Sequence, residues 1–319
     1  MRSMHLLAAA VLCAASAITH AQNYPTKPVR IIVPFPPGGG SDYIARLIAP
    51  PLTKVFGQQV IVENRPGAGS TLGTEVALKS AADGYTLLLI SGSYTTSPNL
   101  YKQLKYDALN DMVPVIQTED GPSIITVHPS LPIKTVKQLV ALARARPGQI
   151  NYASTGQGGA VHLATELFAM RTGIKITHIP YKGTGPAVID TVSGQTQMMV
   201  AAAAAAVPHV VSKRLVGLAV TFPKRVSVLP DVPTVMESGY RYQFNNWHGV
   251  VAPRGVPQPI LERLNAEINK IVKAPDFAKR IASEGLEPAG GTPEEFLALI
   301  KREIAEWAEV VREAKLTLN

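Results

Sequence analysis

One stretch decides the fold: residues 33–46 read VPFPPGGGSDYIAR. They follow the apolar run Val29–Val33, which is typical of a buried parallel strand. Prolines keep the next residues extended, three glycines form a turn without Cβ atoms, and Ser41 or Asp42 can cap the helix that follows. A strand, a bare turn and a helix N-terminus can hold a small anion through backbone N–H groups and the helix dipole. The loop alone can equally be a plain strand–helix connection, because glycine-rich turns are common.

The composition predicts a globular protein of about two domains. The chain has 319 residues, of which 46% are hydrophobic, and this is enough for a substantial core. The formal net charge is +8, but lysine and arginine are scattered along the chain rather than clustered. We therefore expect a solvated basic surface and no nucleic-acid partner.

The first 21 residues have the pattern of an export signal. Arg2 supplies the positive charge, Leu6–Ala17 the apolar run and Ala21 the end of a suitable cleavage site. The run is too short for a stable membrane anchor, and no later segment reaches that length. The single cysteine, Cys13, lies within the signal, so the mature chain would have no disulfide, catalytic thiol or cysteine metal site. We expect an exported periplasmic protein, cleaved near Ala21.

The opening pattern recurs along the chain. Further predicted strands that run into loops of glycine or hydroxyl residues lie at 60–62, 86–90, 150–153 and 176–179. Loops that follow parallel strands meet at one edge of a sheet, where open α/β folds bind ligands. The sequence therefore predicts two α/β units whose facing loops form a cleft.

Other segments connect the two units and complete them. Residues 113–117 and 124–127 are predicted as two strands that can cross into the second unit, and residues 247–253 as a strand that returns. Capping boxes at Thr135–Gln138 and Thr292–Glu295 predict the starts of two helices. The second of these helices carries an apolar stripe that is typical of a core.

Six motifs along the mature chain carry a resemblance to a known family. They are VPFPPGG at 33–39, VENRPGAG at 62–69, DGYTLL at 83–88, YASTG at 152–156, HIPYKG at 178–183 and LPDVPTV at 229–235. With these motifs the chain resembles the substrate-binding receptors of tripartite tricarboxylate transporters, the Bug family of periplasmic solute receptors. Each motif is weak alone, but together they are specific and cover essentially the whole mature chain.

The resemblance implies an α/β fold of two domains, a type II-like periplasmic binding protein with a ligand cleft between the domains. We expect domain 1 at residues 22–125 plus 244–319 and domain 2 at residues 126–243. The implied function is to capture a small organic carboxylate and deliver it, through a transient contact, to a tripartite tricarboxylate-type membrane permease. The receptor is expected to be a monomer and to need no cofactor.

The resemblance also implies the ligand-binding residues. In the family, the loops corresponding to Phe35–Asp42 and Tyr181–Pro186 act as a pincer that holds a ligand carboxylate through backbone groups and bridging waters. The implied positions are Phe35, Pro36, Gly38, Gly39, Gly40, Ser41 and Asp42 in the first loop, Tyr181, Lys182 and Gly183 in the second, and Ser70, Gly92, Ser93, Ser154, Thr155, Gly156, His162 and Ala201 along the rest of the cleft.

One position departs from the family pattern. The family usually places an aspartate after the strand that corresponds to residues 198–200, and here that position is Ala201, the first of six alanines. Alanine cannot accept hydrogen bonds from ligand amino or hydroxyl groups, and it does not repel a second carboxylate. We therefore hypothesise a ligand with an apolar or aromatic body and one or two carboxylates, such as terephthalate or adipate. The alternative ligands are an amino acid or a tricarboxylate such as citrate. The alternative role of the six alanines is only to pack against a neighbouring helix.

Other classes of protein find less support, and no catalytic or metal-ligating residues are predicted. The sequence contains no Gly-x-Ser-x-Gly elbow, no His-Glu-x-x-His motif and no i, i+4 histidine pair, so an exported hydrolase is the less favoured alternative. Among the histidines, only His162, which opens a helix at the predicted cleft edge, is a candidate for a functional role. Glycine-rich nucleotide-binding motifs are also missing.

Overall fold

The computed structural model describes residues 24–282, 285–313 and 316, so the predicted export signal lies outside the described residues. The described residues form strands β1–β10 at Val29–Val33, Val60–Asn64, Thr86–Ser91, Met112–Val127, Asn151–Ser154, Thr177–Pro180, Met198–Ala202, Val216–Val220, Asn245–Pro253 and Glu287–Gly290. They form helices α1–α10 at Gly40–Phe56, Thr71–Leu78, Gly92–Leu100, Val136–Ala145, Ala160–Thr172, Thr184–Val192, Ala203–Val211, Gln258–Val272, Pro275–Ala282 and Pro293–Glu313.

The strands form one mixed sheet in which each half has its own parallel part. The strand order is β2-β1-β3-β9-β4-β7-β5-β6, and β8 and β10 also pair with β4. β1 pairs in parallel with β2 and β3, and β5 pairs in parallel with β6 and β7. Parallel pairing brings the loops after β1, β2 and β3 to one edge of the first half, and those after β5, β6 and β7 to one edge of the second. The predicted two groups of loops are therefore present.

One long strand crosses from the first half to the second. Residues 112–122 of β4 pair with β9, residues 123–127 with β7 and residues 124–127 also with β8. The prediction of two separate strands was wrong, because the polar residues between them find partners within the sheet. Asn245 Nδ2 donates to Asp120 Oδ2 at 2.9 Å, and the Ser123 N–H donates to Thr221 Oγ1 at 2.9 Å.

The last helix joins the cores of the two halves. Phe296 and Ile300 of α10 pack in an apolar cluster with Trp247 of β9. Trp307 and Val311, further along α10, belong to the apolar cluster that also holds α4 and α5 against the second half of the sheet. The apolar stripe of this helix is therefore core, as predicted.

The predicted capping box is complete at α10, and at α4 the reciprocal bond goes to the residue before the N-cap. At the start of α4, the Gln138 N–H donates to Thr135 Oγ1 at 3.2 Å, and Gln138 Oε1 accepts from the Lys134 N–H at 2.7 Å. At the start of α10, the Glu295 N–H donates to Thr292 Oγ1 at 3.2 Å, and Glu295 Oε2 accepts from the Thr292 N–H at 2.8 Å. Local side-chain chemistry is sufficient to predict where these two helices begin.

The hydroxyl-rich segment after β3 is helix α3 and not the predicted loop. Thr95 Oγ1 lies 2.8 Å from the Gly92 carbonyl, and the hydroxyls of Thr96 and Ser97 lie 3.0 and 2.8 Å from the Ser93 carbonyl. These side chains fold back onto the carbonyls of their own helix, so residues that are poor helix formers are accommodated. Strand β10 was also not predicted.

Candidate functional site

The first candidate loop, residues 34–39, ends at the uncapped N-terminus of α1. Gly39 is the N-cap residue and makes no side-chain capping bond, so the prediction that Ser41 or Asp42 caps this helix was wrong. Asp42 lies instead in the first turn, where its Oδ2 accepts the Gly38 N–H at 2.9 Å. Gly38 has φ +82°, a conformation that residues with a Cβ rarely adopt. The first amides of α1 therefore have no capping side chain and are available to an anion.

Asp42 ties this loop to the neighbouring strand. Its carboxylate accepts from Arg46 Nε and Asn64 Nδ2, each at 3.0 Å, and Asn64 Nδ2 also donates to the Phe35 carbonyl at 3.1 Å. Burial opposes ionisation of Asp42, but the hydrogen bonds from Arg46, Gly38 and Asn64 outweigh it and lower the pKa of the carboxyl group. Asp42 therefore stays ionised and holds the loop, while Arg46 balances its charge.

Ser41 lies at the end of a buried chain of polar side chains that the sequence did not reveal. His248 Nε2 is 2.9 Å from Ser41 Oγ, and His248 Nδ1 is 2.5 Å from Glu119 Oε1. Thr118 Oγ1 donates to Glu119 Oε2 at 2.5 Å. Glu119 is fully buried, and Ser41 and His248 are 7% and 5% exposed. Serine, histidine and carboxylate in this order are also the groups of a serine hydrolase triad.

Sheet register brings Glu119 and His248 together. The pairing of β4 with β9 shifts between Gln117 and Glu119, and this irregularity places Glu119 opposite His248. On the other side of β9, His248 pairs with Ser91 at the end of β3. A bulge commonly re-aims a side chain next to a functional site. The available signals were a charged residue between two apolar strand segments and a histidine in the returning strand, and neither identifies its partner.

The second group of candidate loops follows β5 and β6. The Tyr181 N–H donates to the Ser154 carbonyl at 3.1 Å, and the Gly183 N–H donates to the Thr155 carbonyl at 3.0 Å. Gly156 and Gly183 have φ +142° and +106°, and a Cβ at Gly156 would lie 3.4 Å from the Tyr181 carbonyl oxygen. The structure therefore brings the predicted residues of these two loops together.

Two stacked histidines lie behind the Ser154 loop. The ring centroids of His162 and His178 are 3.8 Å apart, and the rings are within 11° of parallel. Ser154 Oγ is 2.6 Å from His178 Nε2, and the Gly158 N–H donates to His162 Nδ1 at 3.0 Å. Burial, followed by the neighbouring His178, lowers the pKa of His162 to about 3, and burial lowers the pKa of His178 to about 4. Both rings are neutral at pH 7 and support the loop.

This pair predicts a loss of stability in acid. Because both histidines have a folded-state pKa below the usual 6.5, the unfolded chain binds more protons as the pH falls below that value. We expect these two histidines to contribute a fall in the free energy of unfolding of roughly 1–2 kcal/mol per pH unit between pH 6 and 4, with the smaller share from the half-buried His178. Urea denaturation at several pH values measures this slope.

The control for this prediction is a histidine outside the stack. His178→Gln should flatten the slope, whereas His128→Gln should leave it unchanged. His128 lies on an exposed turn, where its Nδ1 is 2.8 Å from Ser130 Oγ. Equal slopes for the wild type and His178→Gln would contradict the prediction.

Helix N-termini from the two halves meet beside these loops. Thr96 Oγ1 of α3 lies 3.2 Å from the Gly158 carbonyl oxygen, which precedes α5. A Cβ at Gly92 would lie 3.3 Å from Ala160 Cβ, so the close approach leaves little room for a larger residue at this position. The predicted residue Gly92 therefore lies next to the Ser154–Gly159 loop of the other half.

The remaining predicted residues differ in exposure. Pro36 and Lys182 are exposed, and Phe35 and Ser93 are half-buried. Ser70 is buried, with φ 88°, at the start of α2.

Ala201 lines no open cleft in the structure. It is fully buried in β7 opposite Ile124, in an apolar cluster that includes Ala153 and Val220. Side chains alternate along a strand, and Ala202 is the partly exposed residue at the end of β7. The burial of Ala201 favours the packing alternative for this position.

Three other features bear on the choice of site. Within the described part of the chain, no three His, Cys, Asp or Glu side chains are grouped to hold a metal ion. None of the helices in that part has the length and apolarity to span a membrane. A cavity of about 1030 Å³ lies beside α10, lined in part by Trp247 and Glu303, and none of the predicted site residues lines it.

Comparison with known sequences agrees with the fold. A family described as the tripartite tricarboxylate transporter family receptor matches residues 44–316. BugT from Bordetella pertussis is 40% identical over 307 residues, which cover 95% of this chain and 94% of that protein.

Solved structures extend the comparison. The periplasmic binding protein BugD is 33% identical with a TM-score of 0.84, covering 92% of this chain and 100% of that one. An R. palustris protein solved with adipate is 34% identical with a TM-score of 0.87, covering 92% of this chain and 100% of that one. MatC from Rhodopseudomonas palustris with bound malate is 30% identical with a TM-score of 0.83, covering 90% of this chain and 100% of that one.

The fold and its two groups of loops define a solute-binding receptor with the mixed α/β fold of periplasmic binding proteins. The chain belongs to the tripartite tricarboxylate transporter family of receptors, and the resemblance predicted from the six motifs is confirmed. Receptors of this family are periplasmic, bind small carboxylates and work with a membrane transporter.

Proposed function

We propose that this receptor captures a small organic carboxylate between its two groups of loops and delivers it to a tripartite tricarboxylate-type membrane permease. It acts as a monomer and without enzymatic activity, after export and cleavage near Ala21. Its two domains, residues 22–125 plus 244–319 and residues 126–243, hinge about β4 and β9 when the ligand contacts both sides.

The bare N-termini of three helices carry this proposal. The N-cap residues are Gly39 before α1, Gly159 before α5 and Gly183 before α6, and none makes a side-chain capping bond. Uncapped first turns leave N–H groups and a positive dipole end for an anion. Gly39 belongs to the first half and the other two to the second, so a carboxylate between them can be held from both sides.

The proposed ligand has an apolar or aromatic body and one or two carboxylates, as in adipate or terephthalate. The partly exposed end of β7 is Ala202, which offers no polar side chain to the far end of a ligand. The adipate complex of the 34% identical neighbour supports this class. The malate complex of MatC supports hydroxy acids as the alternative class.

Titration calorimetry with a panel of acids tests the proposal. The panel contains adipate, terephthalate, benzoate, malate, citrate and glutamate, with adipamide as the uncharged counterpart of adipate. We expect adipate or terephthalate to bind most tightly and adipamide to bind at least about 100-fold more weakly than adipate, because an amide loses the charge-assisted hydrogen bonds. Adipamide bound as firmly as adipate, or no acid bound at all, would refute carboxylate capture. Tight binding of glutamate alone would refute the apolar body.

Two lysines provide a matched pair of variants for the panel. Lys182 and Lys175 are both exposed and flank β6, Thr177–Pro180, at opposite ends. Lys182→Glu should weaken adipate binding about tenfold at low salt, because it puts a negative charge beside the site, and the effect should shrink at high salt. Lys175→Glu changes the net charge equally and should stay within about twofold of the wild type. Equal losses for both would place the ligand elsewhere.

A further inference from the structure

We infer that His248, held by Glu119, is a positioning residue that turns the Ser41 hydroxyl toward the ligand carboxylate, and that carboxylate binding places a proton on His248. This inference rests on the proposed function. It assigns the roles of two buried side chains that neither the sequence nor the family resemblance singled out.

With Glu119 ionised, the hydrogen-bond geometry allows two arrangements of protons. Glu119 Oε2 accepts from Thr118 Oγ1 at 2.5 Å, and Oε1 lies 2.5 Å from His248 Nδ1, so an ionised carboxylate accepts at both oxygens and Nδ1 carries a proton. The two arrangements differ in whether His248 Nε2, which lies 2.9 Å from Ser41 Oγ, carries a proton. Either Nε2 is bare and accepts the Ser41 proton, or Nε2 is protonated and donates to Ser41 Oγ.

Only the second arrangement leaves Ser41 able to bind an anion. A serine hydroxyl has one proton. When Nε2 is bare, that proton points at His248, and Ser41 offers only lone pairs, which repel a carboxylate. When Nε2 is protonated, Ser41 accepts from the ring and its own proton is free to point at the ligand. The first amides of α1, beside Ser41, then donate to the same anion.

The charges in the cluster favour the same arrangement. Glu119 is fully buried, and its Oε1 lies 2.5 Å from His248 Nδ1, a contact that becomes an ion pair when His248 is protonated. A ligand carboxylate beside Ser41 would bring a second negative charge toward Glu119. A protonated His248 lies between the two and compensates the buried charge, which is costly when left unpaired.

The ionisable groups on the elements that pack around this cluster already have partners. They are Asp42 on α1 with Arg46, Asp120 on β4 with Asn245, Glu287 on β10 with Lys224, and Glu303 on α10 with Trp247. Ser91, which pairs with His248 from β3, is uncharged. Burial raises the pKa of Asp120 to about 6 and that of Glu303 to about 7, so both acids also titrate near neutral pH, and His248→Gln identifies the part of the pH profile that belongs to His248.

The measurement is titration calorimetry of adipate, or of the tightest-binding acid of the panel above, between pH 5.5 and 9.5 in two buffers with different ionisation enthalpies. For the wild type we expect the affinity to fall by up to about tenfold per pH unit over the part of this range in which ligand binding takes up a proton, with uptake of up to one proton per ligand. A profile that is flat over this whole range, with no proton uptake, overturns the inference.

The variants separate positioning from a structural role. Ser41→Ala and His248→Gln should weaken binding roughly 10- to 100-fold at pH 6, the cost of one hydrogen bond to a charged group, and should flatten the pH profile. Glu119→Gln should move the decline in affinity to lower pH, because the imidazolium loses its counter-ion. His128→Gln removes a histidine that also contacts a serine, Ser130, and should keep the wild-type profile.

Two further measurements, one by NMR and one of esterase activity, test the roles of His248 and Ser41. In ¹⁵N NMR of the histidine-labelled wild type with ligand bound, both ring nitrogens of His248 should carry protons, and an unprotonated Nε2 overturns the inference even if a variant fails to fold. Hydrolysis of p-nitrophenyl butyrate that Ser41→Ala abolishes would make Ser41 a nucleophile and also overturn it.

Different experimental results would refute the role of His248 and the proposed function. If no acid of the panel binds the wild type at any pH, the proposed function itself fails. If the acid binds but His248→Gln keeps the wild-type pH profile, only the role of His248 fails.

Discussion

Gly73→Ala is expected to lower the free energy of unfolding of this receptor by about 3 kcal/mol, the upper end of the usual cost of overpacking. Gly73 lies in α2, and a Cβ there would lie 2.4 Å from the Arg65 carbonyl oxygen and 2.9 Å from Pro34 Cα. Both are backbone atoms, so no change of rotamer can relieve the overlap. The helix would have to move away from both glycine-rich loops of the first half, and urea denaturation measures the loss.

Gly185→Ala is the matched control for this substitution. Gly185 also lies within a helix that follows a glycine-rich loop, α6, but nothing lies within 4 Å of a Cβ at that position and its φ is not in the left-handed range. The added methyl group should be neutral or should stabilise the helix by up to about 1 kcal/mol. A Gly73→Ala protein as stable as the wild type would mean that α2 does not pack on the two loops as the structure has it.

The strand–loop–helix units could be predicted because their signals are local. An apolar run followed by prolines and glycines marks β1 and its loop, and Thr135 and Thr292 mark helix starts through bonds that reach only three residues. The family motifs then selected the loops that are predicted to form the site. Signals of this kind need no knowledge of how distant segments pair.

The cluster of Ser41, His248 and Glu119 could not be predicted in the same way. Glu119 and His248 are 129 residues apart, and Ser41 and His248 are 207 residues apart. Their meeting depends on β9 lying between β3 and β4 and on the irregular register of β4 beside Glu119. The sequence predicted strands only at residues 113–117 and 124–127, because the partners of the side chains between them come from elsewhere in the fold.

The N-terminus of α1 shows a local rule that competing contacts override. Serine and aspartate are good N-cap residues, and both follow the glycines of the first loop. Ser41 is drawn to His248 and Asp42 to Arg46, Asn64 and the Gly38 N–H, so Gly39 becomes the N-cap. Tertiary contacts thus remove the capping side chain and leave the amides that the proposed anion site needs.

Glu303 leads to the second prediction of a large effect, a loss of stability as the pH rises through neutrality. This residue of α10 is 9% exposed, and Trp247 Nε1 donates to its Oε1 at 2.7 Å. Its Oε2 lies 2.8 Å from Thr95 Oγ1, which also lies 2.8 Å from the Gly92 carbonyl oxygen. Thr95 has one proton, so both contacts are hydrogen bonds only when protonated Glu303 donates to Thr95 and Thr95 donates to Gly92.

The direction of the effect follows from the pKa of this acid. Burial raises the pKa of Glu303 from 4.5 to about 7, although Trp247 and Thr95 act in the opposite sense. The folded state therefore holds a proton that the unfolded chain releases between pH 4.5 and 7. The stabilisation is complete below pH 4.5 and is lost as the pH rises to 7, with a total of roughly 3 kcal/mol.

Glu303→Gln separates this group from all others that titrate. A glutamine amide can accept from Trp247 Nε1 and donate to Thr95 Oγ1, as the protonated acid does, but it does not ionise. The variant should match the wild type near pH 5 and exceed its free energy of unfolding by roughly 3 kcal/mol at pH 8. Glu306 lies on the same helix but is exposed, and its Oε1 is 3.8 Å from Arg302 Nε. The free energy of unfolding of Glu306→Gln should therefore differ from that of the wild type by less than about 0.5 kcal/mol at both pH values.

The outcome bears on the candidate site because Thr95 and Gly92 form the first turn of α3, which touches the loop of the other half at Gly158. A stability difference between Glu303→Gln and the wild type that does not change with pH would contradict a protonated Glu303. A difference that grows between pH 5 and 7 and then levels off would mean that ionisation of one buried acid loosens the C-terminal helix from the turn where the two halves meet.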